Sequence, residues 1–173
     1  MPDDGSSLDP RACLPAAIDA VASADDLDSS LEALLAVADL ALQPAMAAIF
    51  ISDPDRAALQ LAASHGMDDE ARERLAIEVE DPSHPFTAAA MGRIATFDRE
   101  AALPSGGSVV GAYLPLVVSS GGVDVTLGSF GMGWPAPRAL SEAERETISA
   151  LAALAAVSMD RARLASTAAE RSE

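Results

Sequence analysis

The stretch Ser108–Trp134, "SVVGAYLPLVVSSGGVDVTLGSFGMGW", decides the fold. It holds two long apolar runs, "SVVGAYLPLVVSS" and "VDVTLGSFGMGW", joined by a loop with Gly121-Gly122. Apolar, β-branched runs separated by a short glycine loop signal a hairpin. The reading predicts strands near 109–118 and 124–132 that pair directly through that loop. Successive strand side chains point to opposite faces. Tyr113 is therefore predicted on one face, with Leu114 and Leu116 on the other, packing under helices. The longest charge-free run, Ala101–Val123, is long enough to raise a membrane span. Pro104, Pro115 and five glycines within it make it loop, strand and turn instead. "GSFGMG" departs from the G-x-G-x-x-G order, and no helix follows it directly. Glycines inside a strand more often mark close approach of backbone or ligand.

C-terminal to this hairpin, "LSEAERETISALAALAAVSMDRARLASTAAERSE" opens with a capping box, Ser141 with Glu144 three residues on. Ile148, Leu151, Ala155, Met159 and Ala162 run down one face of a long helix, and the last ten residues lose that stripe and are expected to fray or run on into a further segment. N-terminal to the hairpin, "HPFTAAAMG" reads as a helix ended by Gly92, and "RIATFD" as a short strand. "AMAAIFIS" and "AALQLAASHG" flank the turn "DPDR", a first hairpin. Between them and His84, "MDDEARERLA" reads as a short helix and "IEVED" as a brief strand. "DLDSSLEALLAVADLAL" carries a stripe of Leu27, Leu31, Leu34, Ala38 and Leu42 and ends at Pro44. "DPRACLPAAIDAVASA" places Leu14, Ile18 and Val21 at helical spacing. Residues 1–9 read as a disordered leader. Two terminal helical segments around two hairpins imply an α+β fold: a mostly antiparallel sheet with its terminal helices on one face.

Composition narrows the function. The 173 residues carry 27 acidic and 11 basic side chains, a formal net charge of −16. Such a surface repels phosphate backbones and anionic lipid, so no nucleic-acid or membrane partner is expected. Every basic residue is arginine. Without lysine there is no Walker A loop, no protein-kinase strand lysine and no pyridoxal Schiff base. Lysine-free, alanine- and arginine-rich usage also suggests a GC-rich bacterial genome. The single cysteine, Cys13, fits a reducing cytoplasm, and the acidic N-terminus is the opposite of a signal peptide. There is no G-x-S-x-G elbow and no calcium loop. Two histidines remain. His84 precedes Pro85, so it either starts a helix or lines the mouth of a ligand cavity. His65, beside Gly66 at a strand end, has a similar status. Neither makes a metal site by spacing.

These segments together resemble the GAF domain, a small sensor module of signalling proteins. The match runs from about Leu27 to Leu164, carried by "LEALLAVADLAL" entering "AMAAIFIS", then "LQLAASHGM", "HPFTAAAMGRIATFD", "AYLPLVVSSGGVDVTLGSFGM" and "LSEAERETISALAALAAVSMDRARL". The resemblance implies a central antiparallel sheet of five or six strands, terminal helices on one face, and short helices and loops covering a pocket on the other. On this chain the pocket would draw on Phe50, His84, Phe86, Met91, Phe97, Tyr113 and Phe130. It divides the chain into a leader with a short helix (1–26), the GAF-like domain (27–165) and a tail or linker start (166–173). It also implies a non-enzymatic, cytoplasmic regulatory module that binds a small molecule or protein partner, dimerises through its terminal helices and signals to an output domain. It assigns no cofactor: the pocket cysteines of the methionine sulfoxide reductases of this fold are missing, Cys13 lies outside the matched region, and the lysine of the cyclic-nucleotide motif is absent. The alternative is a small enzyme or haem-binding sensor using His65 or His84.

Overall fold

A computed structural model describes residues 8–53, 55–103 and 106–172. The leader expected over residues 1–9 therefore lies mostly outside the described residues. A 3-10 turn, Pro10–Cys13, leads into α1 (Leu14–Ser23). Then come α2 (Leu27–Leu42), β1 (Met46–Asp53), β2 (Ala58–His65), α3 (Asp69–Glu78) and α4 (Pro85–Gly92). The chain continues with β3 (Thr96–Ala102), β4 (Ser108–Ser120), β5 (Val123–Pro135) and α5 (Glu142–Glu170). The strands form one five-stranded antiparallel sheet in the order β2-β1-β5-β4-β3. The α+β architecture is as the sequence predicts.

The second hairpin is the centre of this sheet. Ser120 pairs with Val123 across Gly121-Gly122, whose φ angles are +60° and +80°. Positive φ at both central residues gives the turn whose twist matches that of the strands, and glycine adopts it without strain. Leu127 is an extra residue on β5: Leu116 pairs with Gly128 but Val117 pairs with Thr126. That bulge keeps Phe130, Met132 and Trp134 on the helix side of the sheet.

The terminal helices cover that side. Leu31, Leu34, Ala38 and Leu42 of α2 and Ile148, Leu151, Ala155 and Met159 of α5 are buried with Ile49, Leu114 and Leu116 in one cluster, as their spacing predicts. Trp134 Nε1 donates to the Leu42 carbonyl oxygen at 2.9 Å and ties the end of β5 to the end of α2. The capping box at Ser141 forms in both directions. The other side of the sheet holds a smaller cluster of Ala48, Phe50, Val79 and Phe86 beneath α3 and α4.

Four local expectations need correction. Ile18 is half exposed, and Ala17 takes its place on the buried face of α1 with Val21; the small side chain lets α1 lie close against its neighbours. "IEVED" is not a strand: Val79, Glu80 and Asp81 donate back to Leu75, Ile77 and Glu78, so the chain stays coiled by local bonds. The strand sought in "RIATFD" begins only at Thr96 and runs on to Ala102. The tail remains helical to Glu170 although its side chains are mostly exposed. Thr167 Oγ1 returns to Arg163 O, and Asp160 pairs with Arg163, both within the helix.

Candidate functional site

His84 answers both of the readings open to it. It is the N-cap of α4, with extended backbone and with Pro85 at the first helical position, and its carbonyl accepts from Ala88 N at 2.8 Å. Its side chain makes no capping bond. Instead the imidazole lies parallel to the Phe86 ring, 5.9 Å away, and lines a cavity of about 260 Å³ between the sheet and α3. Asp81 fixes the approach to this helix by accepting from both Ser83 N and Ser83 Oγ.

The cavity floor is the sheet surface at Met46, Ala48, Tyr113 and Gly131; Met67 and Leu75 close one side and Val109 with Leu103 another. Phe86 meets Tyr113 edge-on at 5.1 Å and Phe50 at 4.7 Å. Bare backbone makes this ring cluster possible. A Cβ on Gly131 would lie 2.6 Å from Phe86, and one on Gly111 2.6 Å from Tyr113. Real Cβ atoms do not approach so closely, so two glycines of "SVVGAYLPLVVSSGGVDVTLGSFGMGW" act as seats for aromatic rings.

The polar groups at this cavity are few. Arg74 is held by Glu70 at 3.1 Å. His84 Nε2 faces Glu78 at 3.7 Å, and His84 Nδ1 is enclosed without a partner. Burial lowers the His84 pKa, Glu78 opposes this, and Arg99 adds to it, so the imidazole is neutral at pH 7. Burial raises the Tyr113 pKa, against a smaller effect of Arg99, and its hydroxyl stays protonated.

Of the seven residues expected at a pocket, Phe50, His84, Phe86 and Tyr113 come together here. Phe50 supports Phe86 from behind rather than lining the cavity. Met91 lies apart, at a second cavity of about 610 Å³ between α4 and the far end of β1 and β5, where Thr126 Oγ1 is enclosed without a partner. Phe97 and Phe130 are on the helix side. Phe130 pairs with Leu114 and so shares its face. Phe97 enters a bulge of β3, packs against the main core and sits beneath the Arg145 guanidinium at 5.6 Å. His65 pairs with Asp39 of α2 at 2.9 Å and lines neither cavity. The sequence reading missed Met46, Met67, Leu75, Arg74 and Glu78. The first two follow "Pro44-Ala45" and "His65-Gly66", strand ends that face each other only once β1 and β2 pair.

Residues 26–161 match the family model of the GAF domain. The chain belongs to the GAF domain family. Solved GAF structures share the fold. The GAF domain of a phosphoenolpyruvate-protein phosphotransferase from Coxiella burnetii is 16% identical and superposes with a TM-score of 0.76, over 94% of this chain and 99% of that one. The corresponding domain from Acinetobacter is 15% identical, with a TM-score of 0.70 over 91% and 97%. Free methionine-R-sulfoxide reductase from Neisseria meningitidis, solved with its substrate, is 18% identical, with a TM-score of 0.70 over 90% and 91%. A comparison with curated protein sequences gave no match. Among the described residues of this GAF domain, no helix is long and apolar enough to cross a membrane, and no group of three metal-ligating side chains comes together.

Proposed function

We propose that this GAF domain is a non-enzymatic sensory module. It binds a small molecule in the cavity beneath α3 and relays occupancy through its terminal helices to an output domain or protein partner. The observation that carries the reading is the cavity itself: about 260 Å³ of largely apolar space, lined by preset aromatic rings and few polar groups, on the sheet face opposite the main core. Such concave, largely apolar sites are the usual seats of small ligands. Against catalysis stands the scarcity of reactive groups. The lone thiol, Cys13, sits at the start of α1 among the terminal helices, and burial raises its pKa, away from the reactive thiolate.

In this reading residues 27–165 are the sensory unit, preceded by a leader and short helix, and 166–173 are a C-terminal tail or the start of a linker. The module works in the cytoplasm as a homodimer built from α1 and α5. Of the apolar residues outside the α5 core stripe, Leu154 packs within the monomer, while Val157 and Leu164 remain about half exposed, as does Ile18 on α1. Residues of this type on adjacent helices suit a near-parallel helix-bundle contact.

Native mass spectrometry of freshly purified protein tests ligand capture: a bound small molecule is expected, and its absence, together with no binding from a metabolite library, rejects the sensor. Sedimentation equilibrium at micromolar concentration tests assembly. A dimer is expected, weakened by Val157→Glu; a monomer of 17.6 kDa rejects it.

A further inference from the structure

The cavity is specific about what it can hold. Resting on the reading of this cavity as a ligand site, we infer that its ligand is an uncharged heteroaromatic molecule of about two fused rings, carrying one polar group that pairs with the Tyr113 hydroxyl.

Size sets the first limit. A dry cavity of about 150 Å³ holds one benzene ring. At about 260 Å³, this one has room for a second fused ring. Shape sets the second. Phe86 and His84 are parallel within 4°, Tyr113 stands edge-on to Phe86 at 86°, and the rings rest on Gly131 and Gly111. Aromatic rings prefer such offset and edge-on partners, so a flat ligand extends a pattern already in place. Met46 and Met67 complete the wall with flexible thioethers, which accommodate aromatic edges.

Charge sets the third. Arg74 and Glu78 are the charged side chains in the lining and cancel formally. Arg74 is already satisfied by Glu70, and Glu78 lies across from His84. Either ion would meet one attractive and one repulsive charge, Glu78 and Arg74, both about half exposed at the rim, so neither finds a dedicated counter-charge inside. Desolvating an ion without a dedicated counter-charge is costly, so a neutral molecule is preferred. The hydroxyl of Tyr113 supplies the polar contact. The half-buried Tyr113 side chain lines the cavity, its hydroxyl makes no side-chain hydrogen bond among the described residues, and a ligand group that reaches it adds one.

Isothermal titration of the full chain with indole, tryptamine and indole-3-acetate compares one ring system in neutral, cationic and anionic form. The expected result is that indole binds and both charged analogues bind at least about tenfold more weakly. Tyr113→Phe is expected to weaken indole about fivefold, the worth of one hydrogen bond. Ala71→Phe, a half-buried position of α3 in the lining, is expected to fill the space and abolish indole binding while the melting transition is retained. Preference for either charged analogue overturns the inference, as does indole binding that both variants leave unchanged. If no probe binds but native mass spectrometry finds a different co-purified molecule, the ligand class is wrong and the sensor reading stands. If neither binding nor a co-purified molecule is found, both fall.

Discussion

The two faces of the sheet are built differently from the same strands. On one, α1, α2 and α5 bury a continuous aliphatic and aromatic core that includes Leu31, Leu34, Phe130, Trp134, Ile148 and Leu151, each no more than 2% exposed. On the other, α3 buries no residue fully and α4 buries only Phe86, Thr87, Ala89 and Ala90. Close packing makes the first face stiff, because any lost methylene leaves a void. The second face keeps open volume in two places, and its cover is two short helices of ten and eight residues. Segments with few buried apolar contacts open at low free-energy cost. In the proposed sensory role, the closely packed face would keep the shape while the other admits the ligand.

That division is most directly broken by truncating a leucine on each face. Leu151→Ala, in the centre of α5, is expected to cost about 3 kcal/mol, within the range for buried leucine. Leu75→Ala, half buried on α3, is expected to cost about 1 kcal/mol or less. Urea denaturation of both variants measures the pair; equal losses would show that the faces are equally load-sharing and remove the contrast.

Asp98, which ties the edge strand β3 to the start of α5, comes next in size. Its backbone is left-handed at φ +55°, in the bulge of β3. One carboxylate oxygen accepts from Leu140 N at 2.8 Å, and the other pairs with Arg145 of α5. Asp98→Ala removes both contacts and places alanine where φ is positive, at an expected cost of about 2 kcal/mol. Asp98→Asn, which keeps an acceptor for Leu140 N, is expected to recover about half. No difference between the two variants in thermal denaturation would refute this role for the hydrogen bond.

Gly131→Ala tests the ring seat. The new Cβ would meet Phe86 and Tyr113 side chains rather than backbone, so rings can shift. An expected loss of about 1–2 kcal/mol reflects overpacking, and the aromatic cavity should shrink. Near-ultraviolet circular dichroism from Tyr113, compared with wild type, reads the displacement; an unchanged spectrum and unchanged stability would mean that the seat is loose.

The smallest effect is a pH slope. The folded pKa of His84 lies below its unfolded value of about 6.5. The unfolded chain therefore binds the proton first, and stability rises with pH across the window between the two values. The contribution is complete above about 6.5 and is lost as pH falls through the folded pKa. His84→Gln is expected to flatten this part of the stability profile. Its stability relative to wild type should rise as pH drops from 7 to 5, and a parallel pair of profiles would contradict the burial of the imidazole.

Periodicity made most of the fold legible. The α2 and α5 stripes, the glycine-turn hairpin and the Ser141 capping box each depend on neighbours within one helix or one hairpin, so the sequence alone fixes them. The site was legible only in part. Phe86 and Tyr113 are reached only through the GAF resemblance, which implies a pocket on that side of the sheet, while His84 also stands out by its place before Pro85. Phe130 and Phe97 drew the same reading, but their faces depend on a bulge and on register. A shift of one residue reverses every side chain of a strand. The bulge at Leu127 and the left-handed Asp98 decide which aromatic residues meet the helices and which meet the cavity. The cavity itself arises where Gly131 and Gly111 admit rings from α4 and β4 against the sheet. It is set by elements distant in sequence, and only the tertiary structure brings them together.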